Sequence, residues 1–140
     1  MELSIRVQFP TIAPILYNER VIEKLVLATR IMANALPVVG MVLLVPLVEN
    51  DYVLTAIYIA VIITALVIKN DKKDRVFLIF GFFASFIAET LFISTGIETF
   101  NRTSLVGIMP MWLPVLWAYI FMAMRRAIEA LNSYLRPLGP

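Results

Sequence analysis

A carboxyl group set in an apolar run is the side chain in this sequence best placed to do chemistry. Between Val76 and Ile97 the only charged residue is Glu89. An ionisable group at such a position costs several kcal/mol in lipid unless it is neutral, hydrated or paired. On a helical wheel Gly81, Ser85, Ala88, Glu89, Phe92 and Gly96 share one side, while Ile79, Phe83, Phe86, Ile87 and Ile97 take the other. Small and polar residues line helix contacts in membranes and bulky apolar ones face lipid. Glu89 is therefore expected to point into a helix bundle or a subunit interface, where it can bind a cation, exchange a proton or act as a general acid. The bland alternative is a protonated, hydrogen-bonded packing residue.

Depth along the helix suggests partners. Glu89 lies thirteen residues beyond Val76, which at 1.5 Å per residue is roughly 20 Å from that edge. Tyr58 and Trp112 reach a similar depth on neighbouring segments and both carry a hydrogen-bond donor. The candidate intramembrane polar site is thus Glu89, Tyr58, Ser85 and Trp112, with a Glu89–Tyr58 contact as its sharpest expectation. The chain has no cysteine and no histidine, so thiolate and imidazole metal sites, Cys nucleophiles and His bases are excluded, and no metal or cofactor is expected.

Two further sets of charges are candidates for binding. Arg30, Lys69, Lys72, Lys73, Arg125 and Arg126 fall at the same ends of the apolar segments and can meet lipid phosphates together; snorkelling to the interface is the simpler reading for Arg30. Glu49, Asp51 and Glu98 gather at the opposite ends, either as an acidic mouth for cations or as solvated loop residues. Trp112 and Trp117 form an aromatic wall or an interfacial belt.

The elements that must position these residues follow from composition. Hydrophobic residues make up 61% of the chain and charged ones 16%, against about 25% charged in soluble domains. The net charge of +2 argues for no nucleic-acid partner. With charges as punctuation, and about 20 apolar residues needed to cross a bilayer, four spans are predicted, near 25–48, 52–68, 76–97 and 105–126. The short Glu49-Asn50-Asp51 break forces an antiparallel hairpin. Proline at Pro110 suits a first helical turn, so the fourth helix can begin there, with Leu105 to Met109 extended or partly re-entrant. Helical patterning from Asn18 runs into the first span, with a kink expected near Pro37.

Every basic residue except Arg102 falls before the uncharged run Ile31 to Val48, between the second and third spans, or after the uncharged run that ends at Met124. Basic loops stay cytoplasmic, so both termini are predicted inside, at the cell membrane. The first thirty residues hold no apolar stretch beside a basic region, so the first span is expected to serve as an uncleaved signal. In residues 1–17, Leu3, Ile5, Val7 and Phe9 alternate with Ser4, Arg6 and Gln8 until Pro10, as in an interfacial segment or a strand that pairs with another chain. The expected fold is an all-α four-helix membrane bundle of two antiparallel hairpins, spanning 18–140.

From Gly81 to Arg126 the sequence resembles a small multi-pass membrane family. In that family an intramembrane glutamate helix is followed by a short aromatic loop and a P-x-W-L-P-x-x-W helix ending in basic residues. The matching positions are Gly81, Glu89, Gly96, Phe100, Gly107, Pro110, Trp112, Leu113, Pro114, Trp117, Arg125 and Arg126. A looser similarity links the region to membrane hydratases of carotenoid synthesis, which would imply Glu89 as a general acid on an isoprenoid. Three functions are thereby expected in descending order. The first is a structural or accessory membrane component, self-associating or joining other subunits through the Gly81/Ser85/Ala88 face. An oligomeric channel or transporter using Glu89 comes second and a lipid-modifying enzyme third.

Overall fold

The computed structural model describes residues 12–136; the strand-like alternation at residues 3–9 lies outside them. Four helices follow one another: α1 (Ile12–Leu44), α2 (Asp51–Ile68), α3 (Lys72–Ser94) and α4 (Trp112–Leu135). No β-strand occurs among the described residues; a single bridge joins Leu105 to Met109. The all-α expectation holds, and α1, α2 and α3 are each long and apolar enough to cross a membrane.

Each boundary has a local cause. α1 runs 33 residues, about 50 Å at 1.5 Å per residue, from Ile12 rather than Asn18. Pro37 lies inside it without ending it. Its end is set by Pro46, which has no N–H to offer Val42. The Val45 N–H instead donates to the Val42 carbonyl at 3.2 Å, so the Met41 carbonyl loses its helical donor. Asn50 caps α2, its side chain accepting from the Tyr52 and Val53 N–H groups at 3.0 and 3.2 Å. Asp71 does the same for α3, accepting from the Lys73 N–H at 2.9 Å.

The α3–α4 connection is the long one. Gly96, at φ 73°, closes α3 in a left-handed turn. Farther on, Leu105 to Met109 fold into a tight turn: the Leu105 N–H donates to the Met109 carbonyl at 2.8 Å and the Ile108 N–H to the Leu105 carbonyl at 3.0 Å. Val106 and Gly107 sit at its tip with φ 55° and 73°, the paired positive values of a type I′ turn. Glycine adopts this freely, whereas β-branched Val106 is strained by it. The turn tucks Met109, fully buried, beneath the start of α4. That helix begins at Trp112; Leu105 to Met109, expected to be extended or partly re-entrant, form this tight turn instead, and Pro114 falls in the first helical turn, where no helical hydrogen bond is lost.

The helices do not pack as a square. α4 is the central post: it packs most heavily on α3, then α1, then α2, while α1 and α2 touch little and α2 and α3 scarcely meet. Hence Leu116, Tyr119, Met122 and Ala123 of α4 are buried together with Met41, Leu54, Tyr58 and Ala65 of the surrounding helices. The outward faces are apolar instead. Val67 and Ile68 are 77% and 80% exposed, and Ile79, Phe83, Ile87 and Leu91 of α3 are all about 60% exposed. Apolar flanks around a more polar centre are the reverse of what water selects, and they suit lipid. α4 also runs on to Leu135, well past Arg125-Arg126 where the apolar stretch stops, because these arginines turn into the protein.

Candidate functional site

Glu89 lies on a stripe of α3, Gly81–Ser85–Glu89, whose members are buried against α4. The stripe works because Gly81 has no side chain: a Cβ there would stand 2.8 Å from the Cβ of Phe121. This close approach brings Trp117 to the carboxyl, and its indole Nε1 donates to Glu89 Oε1 at 3.1 Å. Ser85 turns away, its hydroxyl donating to the Phe82 carbonyl at 3.0 Å. The other Glu89 oxygen, Oε2, is buried without a hydrogen-bond donor.

The expected Glu89–Tyr58 contact does not form. Tyr58 is fully buried, donates its hydroxyl to the orphaned Met41 carbonyl at 2.5 Å, and meets the Trp112 ring edge-on with centroids 6.3 Å apart. The depth arithmetic placed Tyr58 and Trp112 level, and they do meet. What it left out was direction around the helix. α4 stands between α2 and α3, and Trp112 and Trp117, five residues apart, point about 140° apart around it. Trp112 therefore faces α2, its Nε1 buried and unpartnered, while Trp117 serves Glu89. The four-residue candidate site divides into two separate places, one on each side of α4.

A second correction concerns the small-residue face. Gly81 and Ser85 were expected to meet another subunit, yet both are taken up by α4 of the same chain. The outward side of α3 carries Val76, Ile79, Phe80, Phe83 and Ile87 instead.

At the basic end the structure draws charges together in a way the sequence pattern did not suggest. Asp74, 0% exposed, accepts from Arg125 Nη1, and from Arg126 Nε and Nη2 at 2.9 and 2.7 Å. Arg125 also bonds Asp71 and lies 3.4 Å from Glu129. Arg126 reaches across to the carbonyls of Ala65 and Lys69 at 2.9 and 3.5 Å, as a second donor to acceptors at the end of α2 that already take the Lys69 and Asp71 N–H groups. One acid and two guanidiniums thus bind three helices. The Lys73 N–H and then the Arg125 guanidinium hold the Asp71 carboxyl below its usual range. The signal was available: Asp71 and Asp74, one turn apart at the start of α3, face a helix that ends its apolar run in two arginines.

The proposed headgroup cluster is accordingly divided. Arg125 and Arg126 are buried and paired, Lys69 makes an exposed pair with Glu129 at 3.2 Å, and Lys72, Lys73 and Arg30 are exposed.

A smaller network ties the other end. Asp51, 7% exposed, accepts from the Ser104 hydroxyl at 2.6 Å and from Arg102 Nη1 at 3.3 Å. Arg102 Nη1 also donates to the Val48 carbonyl at 3.0 Å, and the Met111 N–H to Ser104 Oγ at 2.9 Å. Asp51 is therefore a brace between the two loops rather than part of an open acidic mouth. No cluster of three or more potential metal-binding side chains occurs among the described residues.

These features define a small all-helical protein with three membrane-span-capable helices arranged about a fourth that carries the internal ion pairs. Residues 31–139 match the model of a family described as proteins of unknown function, DUF2878, and the chain belongs to that family. No curated protein and no solved structure matches it. The match takes in the whole region from Gly81 to Arg126, and nothing in it speaks to the likeness with hydratases.

Proposed function

We propose that the protein is a structural or accessory component of a cell membrane, with both termini on the cytoplasmic side, working as a self-associated unit or within a larger assembly. The observation that carries this reading is where its polar groups go. Asp74, Arg125, Arg126, Asp51 and Tyr58 are all spent on holding helices and loops to one another. The faces left over, on α2 and α3, are apolar and continuous. A channel needs a polar path from end to end, and between the two networks only Glu89 offers an ionisable group on the inward side of α3.

Cysteine scanning tests this directly, because the chain has no cysteine of its own. Single cysteines in place of Phe83 and Ile87 are expected to cross-link to a neighbouring protein or copy in native membranes. Cross-linking to none, in a protein that elutes alone from mild detergent, would leave the accessory role without a basis. Cysteines at Lys72 and Asn101 are expected to label from opposite sides of sealed vesicles, and labelling from one side would overturn the topology.

One observation favours a second reading. Glu89 Oε2 is buried with no donor, an arrangement suited to a proton or a bound cation. Proteoliposomes carrying Glu89→Gln decide it: proton or cation flux present in the parent protein and lost in the variant supports the ion site, and no flux in either removes it.

A further inference from the structure

We infer that the cleft between α1 and α2 seats one molecule of an anionic phospholipid from the leaflet on the protein's basic side. The inference rests on the chain lying in a bilayer and goes beyond the accessory role.

The cleft has a structural cause. α1 and α2 are fastened at one end by the bond from Tyr58 to the Met41 carbonyl, and α2 is drawn onto α4 at the other by Arg126. Among the described residues no other side-chain bond ties α1 to α2, and Ala33, Ala60 and Ala65 leave the space between them unfilled. The result is a side-opening cleft of about 690 Å³, floored by Tyr119 and Arg126 of α4. A second space of about 450 Å³ continues it past Arg30 and Lys69. Both fall in the usual size range of small-molecule sites, roughly 300–1,000 Å³.

Length, polarity and charge together name the occupant. From Ile57 to Lys69 the α2 wall runs about 18 Å at 1.5 Å per residue, close to one leaflet of a bilayer core about 30 Å thick. A partner helix crossing the membrane would need a groove nearly twice as long. Apart from Thr64, whose hydroxyl is already bonded to the Ala60 carbonyl at 2.8 Å, the deep part is lined by apolar groups such as Pro37, Ile57 and Val61. The mouth is polar and mainly basic, with Arg30, Asn34, Lys69 and Arg126 beside one acid, Glu129.

The charges at the mouth are unequally committed. Arg126 is neutralised by Asp74. Lys69 has only the exposed pair with Glu129, nearly half open on both sides, which contributes little in water. Arg30 has no ion-pair partner among the described residues. A phosphodiester at the mouth would therefore meet Arg30 and compete with Glu129 for Lys69, while its acyl chain lies along the apolar wall. An uncharged or zwitterionic headgroup would gain less from the same position.

Native mass spectrometry of the detergent-purified full chain tests the proposal, with phosphatidylglycerol or phosphatidylcholine of identical acyl chains added in equal amounts. One phosphatidylglycerol per chain is expected to survive detergent removal, and phosphatidylcholine to be lost. Arg30→Gln combined with Lys69→Gln changes exposed side chains and should lower phosphatidylglycerol retention on the order of tenfold. Ala60→Trp fills the cleft and should abolish retention with the charges intact, provided circular dichroism shows parental helix content. Equal retention of the two lipids by the parent protein, or unchanged retention in the charge variant, overturns the proposal. So does a lipid-free dimer that Ala60→Trp dissociates. Insertion into vesicles is followed in parallel: a chain that inserts but selects no lipid fails only this inference, whereas one that does not insert fails the membrane role as well.

Discussion

Replacing Asp74 by Asn is the perturbation with the largest effect that can be worked from the contacts. The carboxylate is fully buried and neutralises two guanidiniums that are themselves 8% and 9% exposed. Removing one partner from a buried charge cluster typically costs about 3–5 kcal/mol, because what remains is an unpaired buried charge. Here the lower half of that range is expected. Arg125 keeps Asp71 and Glu129, and Arg126 keeps the Ala65 and Lys69 carbonyls. Asn keeps one accepting oxygen, which can serve only one of the two arginines. Unfolding followed by circular dichroism in mixed detergent micelles should therefore show a loss of about 3 kcal/mol. The triple change Asp74→Leu, Arg125→Leu, Arg126→Leu makes a sharper test. If the cluster sets geometry more than it adds stability, apolar replacement of all its members is expected to recover most of the loss or exceed the parent. A single-variant loss under about 1 kcal/mol, in the range of exposed pairs, would show that water reaches the cluster and that Asp74 does not carry it.

Three smaller changes are predicted as well. Tyr58→Phe removes the donor to the Met41 carbonyl and leaves that acceptor buried, so stability should fall by about 1–2 kcal/mol; an unchanged unfolding midpoint would mean that another donor takes its place. Gly81→Ala forces a Cβ to within 2.8 Å of Phe121 and should destabilise by about 1–3 kcal/mol through overpacking, measured in the same micelles against Ala88→Gly as a comparison of opposite sense. Asp71 is held below its ordinary value of 3.8, so its contribution is present above that value and is lost as pH falls through the lowered one. The acid limb of a stability–pH curve should flatten in Asp71→Asn, whose side chain still caps α3, and an unaltered limb would assign the acid sensitivity to another carboxyl.

Much of the architecture was legible because charges in a lipid-facing chain act as punctuation. Glu49-Asn50-Asp51 and Lys69 to Arg75 mark where α2 is parted from α1 and α3, and Pro110 marked the start of α4 to within two residues of Trp112. Depth was legible too, since Tyr58 and Trp112 do meet. The arrangement of helices around one another was not. Hydropathy tells which side of a helix avoids lipid and says nothing about which neighbour it turns to. Hence Glu89 was matched to Tyr58 and Trp112, although its partner Trp117 lies five residues along α4 from Trp112 and on the other side of that helix. Counting basic residues for topology likewise grouped Arg125 and Arg126 with exposed lysines, although Asp71 and Asp74 were there to draw them inward. The role of Gly81 was read correctly as a close helix contact, but whether that contact lies within or between chains depends on what fills the space opposite, here Phe121.

The central position of α4 bears on how the molecule is made. Helices α1 to α3 emerge before it, and each is long and apolar enough to enter a bilayer before the post that later holds them exists. α4 comes after them, carrying two arginines into the interior, and the acid that neutralises both already waits at the start of α3. The early helices can therefore settle on their own terms, and the last one closes the structure by finding its counter-charge in place.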